Sequence, residues 1–271
     1  MTTLTLFMIA LGLSMDAFAV SISNGMCYRG FGRKQAFAAA IQGAPYFRAV
    51  MGRDLALWAD NPGAPVRLFT LPGAALTLNG STAQLCGTPQ DWEELLSFLQ
   101  FAGIAHLIAE ETPLLPAAAG EPLFLYSMPP QDRLPLAQEP QGYMLNRSPS
   151  VLRLATQLFP QEPERQDCYY SETCTALAHG FARVLALQDA AGRPVSTVGA
   201  YAMANGEAYM AMGETLPELR GRGIGGWLIP YLANELAGEG WTVTFLCAAE
   251  RCRFYERLGF VLQKQYVKYK L

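Results

Sequence analysis

Arg220-Gly221-Arg222-Gly223-Ile224-Gly225-Gly226 concentrates what an anion needs from a polypeptide. Residues 207–216 before it alternate apolar and polar, as a strand does. Ile224, Leu228, Leu232 and Leu236 after it recur every fourth residue, as one face of a helix does. A strand, a glycine turn and a helix start form a phosphate seat. The first-turn N–H groups lack intrahelical acceptors, the helix dipole favours negative charge, and glycines let a phosphate approach the backbone. Arg220 and Arg222 add cationic donors beside it. No Gly-Lys-Ser/Thr ends the loop, which excludes a Walker site, and the loop lies too late in the chain for a dinucleotide fold. A purely structural strand-to-helix turn is the other reading of the glycines.

The spacing of Arg220-Gly221-Arg222-Gly223-Ile224-Gly225 fits R/Q-x-x-G-x-G/A, and Phe254-Tyr255-Glu256-Arg257-Leu258-Gly259-Phe260 follows some thirty residues on. Together the two segments resemble the GCN5-related N-acetyltransferase (GNAT) family over residues 148–271. The resemblance implies a mixed, mostly antiparallel α/β sheet flanked by helices. It also implies direct transfer of an acetyl group from acetyl-CoA to an amine, making the chain an acyltransferase acting on an amino group. In that reading the pyrophosphate rests on Arg220, Gly221, Arg222, Gly223, Ile224, Gly225 and Gly226. The pantetheine arm runs along the strand end at Thr215 and Leu216. Tyr255 matches the family tyrosine that supplies a proton to the departing thiolate; the alternative is an aromatic that merely holds its short helix.

Three further groups are weighed against that chemistry. Glu214 lies on the strand lining the cleft and is the candidate general base, with Glu250 second; an acid on a strand also serves simply as a solvent-facing residue. Cys247 has no histidine near it in sequence and reads as a packed thiol rather than a nucleophile. A CoA-binding module without catalysis is the competing function. The acceptor amine, a small molecule or a peptide, is not legible, because a fold does not fix a substrate.

The elements that must position these residues follow from pattern. In residues 148–271 a helix begins at Ser148-Pro149, a second covers 170–179, and strands fall at 181–188, 195–203 and 207–216. The phosphate-loop helix carries Pro230, which is expected to kink it. A strand at 242–247, a short helix at 251–258 and a last strand at 261–270 complete the domain. Residues 38–128 read as a smaller α/β domain. It holds a helix at 47–60, a hairpin about Asn79-Gly80, a helix opened by Thr88 as N-cap with Pro89 in its first turn, and a strand at 123–128. It has the outline of a degenerate half of the same fold and is expected to shape the acceptor side. Residues 129–147 are proline-rich and read as a linker.

Residues 1–37 differ in texture. From 4 to 20 the chain is apolar apart from Thr5, Ser14 and Asp16, about the minimum for a membrane span. The stretch from Leu11 to Gly25 resembles the first transmembrane helix of the manganese efflux pump family. Membrane contact through residues 4–22, as a single anchor with the transferase on the cytoplasmic side, is one expectation. A fused fragment is the other, and a manganese-exporter piece the least favoured function.

Composition closes other classes. The 271 residues carry a net charge of −3, which argues against nucleic acid as partner. Six scattered cysteines without a C-x-x-C pair read as free thiols of a cytoplasmic protein, and two histidines offer no metal site.

Overall fold

The computed structural model describes residues 31–61, 63–112, 115 and 120–271. The apolar stretch at 4–22 and its pump-like motif lie outside them. Among the described residues no helix is long and apolar enough to cross a membrane.

Among the described residues two helices come first, α1 (Phe31–Ala40) and α2 (Pro45–Trp58), followed by the meander β1 (Val66–Leu71), β2 (Ala74–Asn79) and β3 (Thr82–Gly87). Gly80 and Ser81 close the hairpin expected at Asn79-Gly80, with Asn79 opposite Thr82 and Gly80 at a φ of 54° that suits glycine. Helix α3 (Trp92–Phe101) then crosses to β4 (His106–Ala109), and β5 (Gly120–Met128) follows. The N-cap of α3 is Asp91 and not Thr88. The Asp91 carboxylate accepts the Glu94 N–H at 2.8 Å, whereas Thr88 still belongs to the turn and donates its N–H to Gly73.

The second half begins with β6 (Met144–Asn146), α4 (Val151–Leu158, capped by Ser150) and α5 (Pro163–Ala178). The strands β7 (Arg183–Gln188), β8 (Pro194–Ala204) and β9 (Glu207–Thr215) form a second meander. Helix α6 (Ile224–Gly238), β10 (Thr242–Ala248), α7 (Cys252–Leu258) and β11 (Val261–Lys270) end the chain. Helix α6 runs through Pro230, which sits buried within its span.

The eleven strands of the described residues join one sheet in the order β1-β2-β3-β4-β11-β5-β10-β9-β8-β7-β6. Its organisation repeats. Each meander ends in a strand, a helix and a parallel strand: β3-α3-β4 in one half, β9-α6-β10 in the other. The next neighbour of each parallel strand then comes from the opposite half. Strand β11 pairs with β4 and β5 with β10, both antiparallel, and β5 and β11 pair with each other at the centre. The sheet therefore continues across the linker expected at 129–147. That segment is itself pinned, because Asn234 on α6 accepts the Leu134 N–H at 2.8 Å and donates to the Leu134 carbonyl at 2.9 Å.

Two layers of helices follow from the period-two alternation of the strands. Ala208, Met210, Val243, Phe245, Tyr126 and Met128 share a cluster with Trp227, Leu228 and Leu232 of α6. The adjacent Tyr209, Leu246 and Leu125 face the other way, onto Tyr46, Phe47 and Met51 of α2. Helices α4 and α5 cover Val184 and Ala186 on the α2 side, and α3 lies over Leu76, Leu85 and Leu107 on the α6 side. Burying whole side chains of this size contributes about 1.5–3 kcal/mol each, so both faces of the sheet are core.

Candidate functional site

Strands β9 and β10 pair over three rungs only, from Thr242 opposite Glu207 to Thr244 opposite Tyr209. Beyond them β9 continues to Thr215 and β10 to Ala248 with no further partner rung, so the two strands part and leave a V. A bulge bends β9 inside that V. Ala211 faces Gly199 and Glu214 faces Thr197, so Met212 and Gly213 together oppose Val198. Met212 takes a φ of 52°, unusual for a side chain of its size.

The phosphate-type loop stands at the mouth of the V. Leu216 follows β9, its N–H bonded to the Val195 carbonyl at 2.9 Å, and a short 3-10 turn, Pro217–Leu219, leads to Arg220. Gly221 and Gly223 have φ of 76° and 78°, and a Cβ on either would meet nothing within 4 Å. The glycines therefore serve conformation and approach, not packing. Gly223 is the N-cap of α6 and brings no side-chain cap, and no acid occupies the first turn. The N–H groups of Ile224, Gly225 and Gly226 thus lie before the first intrahelical bond, which Trp227 makes to Gly223 at 3.0 Å. Gly225 is tighter, since a Cβ would come 3.1 Å from Thr215 Oγ1, itself bonded to Ser196 Oγ at 2.8 Å. Arg222 is exposed and has no ion pair among the described residues. A pyrophosphate fits this donor set: open space, unpaired N–H groups, a dipole end and two arginines.

Tyr255 lies on α7, reaching back over β10. Its ring centroid is 4.3 Å from that of Phe245 and 6.2 Å from that of Phe260, which hold it half-buried. Its hydroxyl has no hydrogen-bond partner among the described residues. Burial, and next the neighbouring Cys247, push its pKa up, so the phenol stays protonated and able to donate. Glu214 and Arg251 are close enough to act on it electrostatically.

Glu214 does not point freely into the V. Its Oε1 pairs with Arg220 Nη2, and Arg220 Nε donates to the Thr215 carbonyl at 3.1 Å. The candidate base and the first arginine of the loop therefore hold each other. Glu250 sits in the 3-10 turn Ala249–Arg251, beyond the end of β10. Cys247 is buried, and desolvation pushes its thiol up to about 12, which leaves it a neutral, packed group. His179 bonds the Thr175 carbonyl at the end of α5, and His106 lies within β4.

Tyr209 is a residue that the motifs do not single out. It stands on the last rung before the strands part, its ring centroid 5.2 Å from that of Tyr46 on α2. The Leu246 backbone hydrogen-bonds its oxygen, while burial, the larger effect, raises its pKa to about 12. The only sequence signal was an aromatic in an alternating strand, which a core residue gives equally. Through Tyr46 the first half packs against the strand end where the V begins.

The comparisons with known proteins agree with this fold. Residues 180–262 match the acetyltransferase (GNAT) domain model. No curated protein matches the sequence. Among solved structures, a tandem GNAT protein from the clavulanic acid biosynthesis pathway is 17% identical, with a TM-score of 0.56 over 87% of this chain and 92% of its own. A GCN5-related N-acetyltransferase-like protein from Streptococcus suis is 15% identical, with a TM-score of 0.52 over 86% of this chain and 99% of its own. A GCN5-related N-acetyltransferase from Kribbella flavida is 19% identical, with a TM-score of 0.51 over 74% of this chain and 88% of its own. At these identities the structures speak for the fold. The domain match makes residues 180–262 a GNAT acetyltransferase domain, and at that level the chain is an N-acetyltransferase.

Proposed function

We propose that the chain moves an acetyl group from acetyl-CoA to a primary amine within the V between β9 and β10, by direct attack. The observation that carries this reading is the uncapped N-terminus of α6, free of side chains at Gly221 and Gly223, at the mouth of a strand split that Tyr255 overhangs.

When bound, acetyl-CoA supplies a thioester carbonyl carbon and a thiolate leaving group. The loop N–H groups of 221–226 and the guanidinium groups of Arg220 and Arg222 hold the pyrophosphate. The pantetheine arm lies along the parted edge of β9 at Thr215 and Leu216. Glu214 takes a proton from the attacking amine as its nitrogen bonds to the carbonyl carbon. Tyr255 gives its proton to the sulfur as the C–S bond breaks, which yields an amide and the free thiol. Tyr209, at the close of the V, packs on Tyr46 of α2, so the acceptor side is read as lying toward the first half. The first half then acts as a wall of the acceptor side and as a degenerate copy of the fold.

A CoA-binding module without catalysis is the second reading, and one observation favours it: Glu214 is engaged by Arg220. Incubation with acetyl-CoA and a panel of primary amines, followed by mass spectrometry, tests the choice. An acetylated amine formed by the parent chain and lost in Tyr255→Phe supports the transferase. CoA binding without thioester turnover for any amine supports the module.

A further inference from the structure

We infer that Arg220 and Glu214 form a clasp that the acyl donor opens, so that the base is released only when the pyrophosphate arrives. The inference rests on the donor site proposed above and concerns how that site is controlled.

The argument starts from which edge of the guanidinium is used. The Nε–H and one Nη–H of arginine form a planar fork that matches two oxygens of a phosphate or carboxylate. In Arg220 that edge is already taken, by the Thr215 carbonyl through Nε and by Glu214 through Nη2. The arginine is folded back along the end of β9 and not turned toward the loop. A phosphate that takes the fork must displace both contacts.

The clasp is weak enough to open. Arg220 is 57% and Glu214 38% exposed at the side chain, and a solvated pair of this kind contributes little. A pyrophosphate offers more charge and more acceptor oxygens than one carboxylate, and it also gains the N–H groups of α6. Displaced from Arg220, Glu214 lies beside Tyr255, which already senses its charge. Binding the donor thus assembles base and acid in one step, and an amine that enters first meets a neutralised carboxylate.

The clasp predicts an unusual variant. Glu214→Gln removes a competitor for Arg220, so it binds CoA about two- to fivefold more tightly than the parent, the range set by an exposed pair, while acetyl transfer falls. Calorimetric titration with CoA reads the first effect without any acceptor. Repeating it in an Arg220→Gln background completes the cycle: with the arginine absent, Glu214→Gln brings no gain. Unchanged or weaker CoA binding by Glu214→Gln overturns the clasp. An equal gain in both backgrounds also overturns it, because the effect is then a general one of charge. If the parent chain itself takes up no CoA, the donor site falls and the clasp with it.

Discussion

The two halves of the sheet are built alike and end differently. In each, a strand and its parallel partner pair over three rungs before parting: Thr82 opposite His106 to Gln84 opposite Ile108 in the first half, Glu207 opposite Thr242 to Tyr209 opposite Thr244 in the second. In each, a helix leaves from the top of the split. The second half sends it from Gly223, without a cap or an acid in the first turn. The first half closes the same place. Pro89 has no N–H to offer, Asp91 spends its carboxylate on the Glu94 N–H, and Glu93 and Glu94 add negative charge to the first turn. A split sheet and a helix N-terminus are therefore not enough for an anion. What matters is whether the chain satisfies that N-terminus itself.

The largest expected effect comes from copying the closed end onto the open one. Gly223→Asp puts a carboxylate at the proposed pyrophosphate seat, at a φ of 78° that aspartate tolerates better than most residues. It should reduce CoA affinity by about a hundredfold or more, since a like charge and a lost approach act together. Titration calorimetry and a thermal melt distinguish loss of the site from loss of the fold. Near-parent affinity with a native melt breaks the comparison.

Next in size is Tyr255→Phe. The ring contacts with Phe245 and Phe260 survive, so CoA affinity should hold while turnover drops about a hundredfold. Lost binding with turnover intact would assign Tyr255 to structure alone. The first half has no counterpart of this test, and its own variant is smaller. Asp91→Ala should lower stability by about 1 kcal/mol through the lost cap and leave CoA binding untouched. A change in CoA affinity would mean that the first half also takes part in donor binding.

The smallest effect concerns the joint between the halves. Arg48 of α2 reaches Glu207 at the start of β9 at 3.4 Å and bonds the Asn205 carbonyl at 2.5 Å. Burial outweighs Arg48 and raises the Glu207 carboxyl to about 7. The folded state holds this proton more tightly than the unfolded chain. This contribution to stability is therefore full below the ordinary glutamate range and is lost as pH rises toward 7. Thermal melts between pH 5 and 8 should show a steeper decline for the parent than for Glu207→Gln. Parallel profiles would remove Glu207 from the account.

Local pattern and tertiary arrangement were unequally legible. The terminal strand, the hairpin at Asn79-Gly80 and the glycine loop were readable because alternation, turn chemistry and spacing are local. The cap of α3 was misplaced by three residues, since Thr88 and Asp91 are both good caps and only the turn geometry chooses between them. The exchange of β5 and β11 left no mark on the sequence, because alternation specifies a strand and not its neighbour. The boundary about 129–147 was expected from prolines, yet Asn234 ties that segment to α6 by two hydrogen bonds that composition does not reveal. In the candidate site, Tyr255 and the loop were singled out by motif. The hold of Arg220 on Glu214 and the place of Tyr209 at the split depend on side-chain direction and strand register.

The most direct test of the difference between the halves is hydrogen exchange with and without CoA, read beside the calorimetric stoichiometry. One CoA per chain, with slowed exchange of the amides at 221–227 and none at 87–94, is the predicted result. Protection at 87–94, or two CoA per chain, would contradict it and make the closed helix end a second donor site.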